Sequence, residues 1–201
     1  MAGIDHLVVD AADPVTAASF YAAFGVDKYV QIRAGQPTPG FRDFTVSLVV
    51  SQPGTVDAFF ASGVGAGAHP LKPPKKSFWG YGGVLRAPDG VVWKVATSAK
   101  KDSEPVGRTV DSVVLLIGVA DVKATKDFYA GHGLTVKRSF GAKYAEFEPS
   151  GGAIALALYG RKALAKDAGT PLADSVGPHG ITVVGDAGAF TDPDGFVWET
   201  A

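Results

Sequence analysis

The sequence predicts an α+β fold made of two similar halves. Short apolar runs of strand type alternate with segments of helical periodicity, and the same series of motifs occurs twice. The clearest repeated motif is Pro-Asp-Gly, at residues 88–90 and again at 193–195. Proline fixes φ at the first corner of a turn, aspartate bonds back to the backbone, and glycine accepts positive φ. Because β-branched and aromatic residues follow each copy, each predicts a turn that leads into a closing strand.

The first half begins with a strand and a helix and continues with further strands around a second helix. Asp13 or Pro14 at the start and Gly25 at the end bound the first helix, over 15–24. Gly63 ends the second helix, which begins near Thr55. The Gly-, Pro- and Lys-rich stretch 64–76 predicts a loop, with at most a brief strand near 69–71. The predicted strands are 4–9, 28–33, 44–50, a strand within 77–86, and a closing strand to Thr97.

The second half repeats the first at a nearly constant offset of about 105 to 108 residues, which indicates a duplication. Residues 110–115 match 4–9, residues 127–134 match 19–26, and residues 194–198 match 89–93. We therefore expect a domain over 1–98, a polar linker over 99–109 and a second domain over 110–201. Strands are predicted at 134–140, 143–148, 153–159 and 179–184, with a basic helix or turn at 161–168. Only four residues then precede the closing hairpin, so the second module of this domain lacks its helix.

Composition excludes several classes of function. The chain has 201 residues, 46% of them apolar, and a net charge of −1 without clustered cations, so we expect no nucleic-acid partner. It contains no cysteine, which excludes disulfides and thiolate metal sites. The N-terminus has no signal-peptide pattern, and the longest apolar stretch, 113–120, is too short to span a bilayer. We expect a cytoplasmic protein without a membrane partner.

The repeated motifs together resemble the vicinal oxygen chelate superfamily, which includes glyoxalase I, bleomycin-resistance proteins and extradiol dioxygenases. The resemblance rests on Phe20-Tyr21 and Phe128-Tyr129, which close the first helix of each half, and on the Asp-Pro-Asp-Gly-x-x-Trp-Glu series at 192–199. It covers essentially the whole chain. It implies tandem glyoxalase-like domains built from paired βαβββ modules, whose curved mixed sheets enclose a cleft.

The resemblance also implies positions for metal ligands, and this chain departs from them. They correspond to His6, about Thr45, and Lys94 in the first domain. In the second domain they correspond to Ser112, His179 and Glu199. A divalent ion needs imidazole or carboxylate donors, whereas Lys94 is a cation and a serine hydroxyl is a poor ligand. We therefore predict no metal cofactor; if a metal is bound, His179 and Glu199 are its expected ligands.

An aromatic and glycine-rich stretch at 78–83 is the strongest candidate pocket wall. Trp79 and Tyr81 alternate with glycines, which favours a wall for a flat apolar ligand, although packing over the core is the alternative. Lysines at 72, 75 and 76 attract an anionic ligand or lie on a solvated loop, and the cations of 161–166 are most simply a solvated helix face. For His6, His179 and Glu199 the alternatives to a cleft role are a backbone-bonded strand histidine, a loop histidine and a solvent-facing carboxylate.

The sequence favours metal-free binding of a small aromatic or amphiphilic ligand in a sheet cleft. The predicted ligand-binding residues are His6, Trp79, Tyr81, Lys94, Ser112, Tyr159, His179 and Glu199. The alternative is a metal-dependent lyase, isomerase or dioxygenase that uses His179 and Glu199 with a further donor such as Tyr159. Whether the protein is an enzyme stays open, as does a homodimer.

Overall fold

The computed structural model describes residues 2–172 and 178–201. Its helices are α1 (Pro14–Phe24), α2 (Pro53–Gly65), α3 (Val122–Gly131) and α4 (Arg161–Ala168). The strands of the first half are β1 (Ile4–Ala11), β2 (Val30–Ala34), β3 (Phe44–Val49), β4 (His69–Ser77), β5 (Gly80–Arg86) and β6 (Val92–Thr97). Those of the second half are β7 (Ser112–Val119), β8 (Val136–Ser139), β9 (Tyr144–Phe147), β10 (Ile154–Gly160), β11 (Ile181–Gly185), β12 (Phe190–Thr191) and β13 (Val197–Thr200). No helix in these ranges is long and apolar enough to cross a membrane.

Capping residues set the ends of the first helix, as predicted. The Asp13 carboxylate accepts a hydrogen bond from the Thr16 amide at 3.1 Å, and Pro14 occupies the first helical position. Gly25 ends the helix in the left-handed conformation, with φ of 82°. The predicted helix over 15–24 is therefore confirmed within one residue.

Two complete βαβββ modules form the centre of the chain. In the first, β3 is followed by α2 and then by β4, β5 and β6, and β3 pairs in parallel with β6 to give the order β3-β6-β5-β4. In the second, β7 is followed by α3 and then by β8, β9 and β10, with the order β7-β10-β9-β8. Both modules thus place their first strand beside their last.

The two ends of the chain form reduced modules. At the N-terminus β1, α1 and β2 remain, and β2 pairs in parallel with β1. At the C-terminus β11 pairs in parallel with β13, and residues 186–189 between β11 and β12 contain no helix.

Strand pairing crosses between the halves of the sequence. The first strands of the two complete modules, β3 and β7, pair antiparallel over the whole length of β3. In the same way β1 pairs antiparallel with β11. The single pair Ile4–Ile154 joins these two units into one mixed sheet. The predicted α+β class with paired modules and a mixed sheet is confirmed, and each unit of the sheet takes strands from both halves.

Two local predictions were wrong. Residues 69–77, expected to lie mostly in a loop, form the edge strand β4, which pairs with β5 through two register shifts. An edge strand tolerates proline because the missing amide faces away from the partner. Gly63, expected to end α2, lies inside that helix, and a Cβ there would come within 2.8 Å of Leu85 and 3.2 Å of Phe24. Close packing, and not helix termination, explains this glycine.

A tyrosine–carboxylate hydrogen bond ties the first helix of each half to its closing turn. Tyr21 of α1 donates to Asp89 at 2.6 Å, and its ring lies 5.7 Å from that of Trp93. In the second half Tyr129 of α3 donates to Asp192 at 2.7 Å and accepts a bond from the Trp198 indole at 3.2 Å. The motifs that reveal the duplication are thus in contact with one another.

Burial keeps these tyrosines in the form that donates. Desolvation, followed by the nearby Asp89, raises the pKa of Tyr21 well above its ordinary value. Desolvation and Asp192 do the same for the pKa of Tyr129, and burial also raises the pKa of Asp192 itself. Each phenol is therefore one of the donors to its carboxylate, beside the Val91 amide at the half-buried Asp89 and the Asp194 and Phe196 amides at the buried Asp192.

We expect Tyr129→Phe to lower the free energy of unfolding by about 1–3 kcal/mol, because the buried Asp192 loses one donor while the ring packing is kept. Urea denaturation followed by far-UV circular dichroism measures this. Tyr29→Phe is the matched control: Tyr29 is half-buried, and its hydroxyl makes no side-chain hydrogen bond within the described ranges. Equal midpoints for Tyr129→Phe and the wild type would contradict the role of this bond.

We expect the separated halves, residues 1–103 and 104–201, to be poorly soluble. Each half alone exposes the edge of β1 or β11 and of β3 or β7, and unpaired strand edges promote aggregation. Expression of the halves singly and together, followed by size-exclusion chromatography, tests this. Two well-folded monomeric halves would refute it, whereas rescue on co-expression is the expected result.

Candidate functional site

The helix α4 packs on the face of the central sheet that lies opposite α1, α2 and α3. Its residues Leu164, Ala165 and Ala168 are buried against that face. The sheet residues they meet belong to β5, β6, β7 and β10: Val84, Val92, Leu116 and Ala157. We call this surface the α4 face. It is the face that carries Lys94, since Trp93 and Val95 on either side of Lys94 join the opposite core.

Ion pairs hold both ends of α4 on this face. At its N-terminus Arg161 donates two hydrogen bonds to the Asp43 carboxylate, at 3.1 and 2.8 Å, and the Asp43 side chain is only 4% exposed. At its C-terminus Lys94 pairs with Asp167 at 2.8 Å. Lys72 of β4 donates to the main-chain carbonyls of Lys166 and Asp167, at 2.8 and 2.6 Å. A cation there also complements the helix dipole.

A cavity of about 290 Å³ opens beside the C-terminal end of α4. Its wall comes from β4, β5 and β6: Lys72, Lys75, Ser77, Trp79, Gly80, Tyr81, Gly82, Gly83, Val84, Lys94, Ala96 and Thr97, with Asp167 from α4. Gly82 lies opposite Ala96 on this wall, and its strand packs so closely on β6 that a Cβ there would come within 2.8 Å of the Val95 carbonyl oxygen. Three lysines and one carboxylate border the cavity, which gives it an excess of positive charge.

The structure brings Trp79 and Lys94 to this cavity but turns the Tyr81 phenol elsewhere. Trp79 lies at the tip of the β4–β5 hairpin with 82% of its surface exposed, and its ring contacts Phe78 at 5.0 Å. The Tyr81 hydroxyl donates to Asp57 of α2 at 2.8 Å, so the side chain points to the helical side of the sheet. Of the two predicted aromatic residues, Trp79 therefore presents an exposed ring at the cavity, whereas the Tyr81 hydroxyl is engaged with α2.

Tyr159 and Ser112 also lie on the α4 face, on strands that belong to the second half of the chain. Tyr159 of β10 borders a shallower groove of about 700 Å³ at the N-terminal end of α4, together with Arg161, Lys162 and Lys143. Burial, and then the charge of Asp167, raise the pKa of Tyr159. Ser112 is exposed at the start of β7 and borders neither the cavity nor this groove.

His6 and Glu199 lie on the other unit of the sheet. His6 is paired with Val184 of β11, and Val184 is paired with Glu199 of β13, so the three side chains share one face. An ion pair between Arg33 and Asp10, at 2.7 Å, lies on the same face. The bond to Asp10 and the charge of Glu199 both raise the pKa of Arg33. This polar row is separate from the lysine-lined cavity.

His179 is buried and fully engaged in local contacts. Its ring stacks on Phe196 at 3.9 Å with an interplanar angle of 2°. One ring nitrogen lies 2.8 Å from the carbonyl of Arg42, and the other lies 3.0 Å from the carbonyl of Asp194. Both nitrogens therefore have backbone partners, and neither contacts Glu199.

The donor atoms of the described residues do not fit a divalent metal site. No group of three or more His, Asp or Glu side chains converges in residues 2–172 and 178–201. On the α4 face, Lys94 takes the place for which the resemblance implies a carboxylate. Glu146 on β9 is held by Lys137 at 3.1 Å and by Arg138 at 2.7 Å.

Sequence reasoning missed the polar residues that hold α4. Lys72 and the cations of 161–166 were expected on solvated surfaces, yet Lys72 and Arg161 bond to specific partners. Asp167 and Asp43 gave no sequence signal of their own. The one available clue was the run Lys-Pro-Pro-Lys-Lys at 72–76, which places cations beside residues that favour extended backbone.

Comparison with solved structures shows which fold this architecture represents. Glyoxalase I from Zea mays superposes with a TM-score of 0.64 at 12% identity, covering 100% of this chain and 92% of that one. A candidate dioxygenase from Bacillus subtilis subsp. subtilis strain 168 superposes with a TM-score of 0.60 at 14% identity, covering 99% of this chain and 84% of that one. No protein-family model and no curated protein matches the sequence.

The chain is therefore an α+β protein with the fold of glyoxalase I. The resemblance to the vicinal oxygen chelate superfamily, predicted from the repeated motifs, is confirmed as a likeness of fold over the whole chain. Because one fold hosts many chemistries, the function has to be argued from the α4 face.

We expect Arg161→Met to lower the free energy of unfolding by about 2–4 kcal/mol, because it leaves the buried Asp43 carboxylate without its cation. Thermal or urea denaturation measures the loss. Lys162→Met removes the same charge from the next, exposed residue of α4 and should change stability by less than about 0.5 kcal/mol. Equal effects of the two substitutions would show that the Asp43 pair does not anchor the helix.

Proposed function

We propose that the chain binds a small organic ligand, without a metal ion, in the cavity between α4 and the β4–β5–β6 strands. The observation that carries this proposal is the composition of the cavity wall. Lys72, Lys75 and Lys94 face one carboxylate, Asp167, around a floor of small and apolar residues. Ligand sites typically combine apolar walls with a few convergent polar groups.

The wall favours an aromatic or amphiphilic ligand with negative charge. Trp79 offers an exposed ring at the rim, while Val84 and Ala96 offer apolar surface inside. The lysines attract an anion over several ångströms, and a partly enclosed site strengthens that attraction relative to bulk water. At about 290 Å³ the cavity suits a molecule of one or two rings.

A metal-dependent lyase, isomerase or dioxygenase remains the alternative. It receives less support, because His179 has both ring nitrogens next to backbone carbonyls and Lys94 opposes a bound cation. A cytoplasmic location and a homodimer stay part of the proposal as expectations.

A series of naphthalene probes that share the ring system and carry a negative, neutral or positive head group tests the proposal by isothermal titration calorimetry. We expect naphthoate to bind more tightly than naphthalenemethanol, and naphthylmethylammonium to bind least, because the cavity carries excess positive charge. Stoichiometric metal that survives dialysis, and that ligand binding requires, would contradict the metal-free proposal.

Lys75→Met should weaken naphthoate binding by about threefold to tenfold, since one lysine of the wall is lost. Lys75 has no ion-pair partner in the described part of the chain, so the substitution leaves the anchors of α4 in place. Lys76→Met is the matched control. Lys76 is also exposed, but it lies opposite Tyr81 in the β4–β5 strand pairing and does not border the cavity. Equal weakening by both substitutions would indicate a general charge effect and not a site.

A further inference from the structure

We propose that the Asp167 carboxylate competes with the ligand for Lys94, so that an aromatic carboxylate binds by replacing Asp167 in this ion pair. The inference rests on the proposed function and names the ligand class of the same cavity. In the free protein, Asp167 of α4 then occupies the position at Lys94 that the ligand carboxylate takes in the complex.

The Lys94 ammonium lies where an incoming anion meets it. Lys94 borders the cavity from the middle of β6, between Val84 of β5 and Ser47 of β3. Its side chain is 32% exposed, and Asp167 is its ion-pair partner at 2.8 Å. One of the cationic groups on the cavity wall is therefore already paired with a carboxylate of the chain itself.

The helix dipole does not account for an acidic residue at this position. Asp167 lies in the last turn of α4, where the helix dipole disfavours a negative charge. Two lysines compensate the negative charge at this end of the helix. Lys72 donates a hydrogen bond to the main-chain carbonyl of Asp167, and Lys94 forms an ion pair with its carboxylate. The Asp167 carboxylate is unfavourable for the dipole of its own helix, yet it lies against the cation of the cavity. It therefore occupies the position at Lys94 that the carboxylate of a ligand would take.

The pair is open enough to exchange. The Asp167 side chain is 40% exposed, and partly exposed ion pairs contribute little net free energy, about 0–1 kcal/mol. A ligand carboxylate that also buries its rings against Val84 and Ala96 has a contact that Asp167 lacks. Replacement by a ligand of the right shape is therefore favourable.

Release of Asp167 from Lys94 does not require α4 to leave the sheet. Lys72 holds the backbone carbonyls of the last turn, Arg161 holds the first turn, and Leu164 is fully buried. Gly169, which follows α4 with φ of 73°, packs directly on the Lys72 side chain: a Cβ at this position would come within 2.7 Å of it. A rotation about the Asp167 side-chain bonds is sufficient, and the cavity keeps its wall.

Calorimetry on the full chain with Asp167→Asn tests the proposal. We expect naphthoate to bind about threefold to tenfold more tightly than to the wild type, because Lys94 is free and a repelling carboxylate is gone. Neutral naphthalenemethanol should bind within twofold of the wild-type affinity. Asp167→Glu, which keeps the charge, should stay within twofold for both probes. Asp127→Asn on α3 is the charge-matched control, since Asp127 pairs with Lys123 and Lys126 away from the cavity.

The outcomes separate this inference from the proposed function. Naphthoate binding to the wild type with unchanged or weaker binding to Asp167→Asn overturns the competition and leaves the cavity as a binding site. Equal tightening by Asp127→Asn also overturns it, because net charge then explains the gain. If no probe binds the wild type or Asp167→Asn, both proposals fall. A crystal structure with naphthoate should place its carboxylate at Lys94, with Asp167 turned away.

Discussion

The antiparallel pairing of β3 with β7 is the contact on which the rest of the structure depends. It joins two βαβββ modules that are distant in the sequence, and it makes their inner faces one continuous surface. On one side of that surface lie the helices α1, α2 and α3 and the aromatic core. On the other side lies α4, with the lysine-lined cavity beside its C-terminal end. Without this pairing, Lys94 on β6 and Tyr159 on β10 would belong to separate sheets.

The occupation of the α4 face by the chain itself distinguishes this protein from a simple open cleft. The resemblance implies that paired sheets enclose the site, and here an eight-residue helix packs into that space. It divides the space into a lysine-lined cavity at one end and a shallower groove at the other. The apolar side of α4 explains its attachment, whereas its ion pairs explain its orientation. The helix therefore limits the volume of the cavity and supplies one of the charged groups on its wall.

The sequence was most informative where the signal is local. Turn chemistry at Pro-Asp-Gly, the cap at Asp13 and the repeated Phe-Tyr pairs predicted the duplication and the fold class, because each depends on neighbouring residues. Pairing of β3 with β7, and contact of Lys72 with the end of α4, depend on which distant segments meet, and alternation alone does not encode that. The lysines and prolines of β4 have low strand propensity, and only the edge position makes that strand possible. For the same reason the sequence placed both Trp79 and Tyr81 at a pocket, although the bond to Asp57 directs Tyr81 to the other side.

The clearest difference between the two copies, Lys94 against Glu199, has a physical explanation in their surroundings. Lys94 is matched by Asp167, which the helix after β10 supplies. Glu199 has no such helix over its sheet unit in the described part of the chain, and its charge acts instead on Arg33. The charge at this position is thus opposite in the two copies, and in each copy a group of the opposite sign lies nearby. Exchanging the two residues would place like charges together at both positions, so the duplicated modules have diverged into two electrostatically distinct surfaces. The surface beneath α4 combines its charge with a cavity of about 290 Å³, whereas neither His6 nor Glu199 borders that cavity, and for that reason the binding proposal belongs beneath α4.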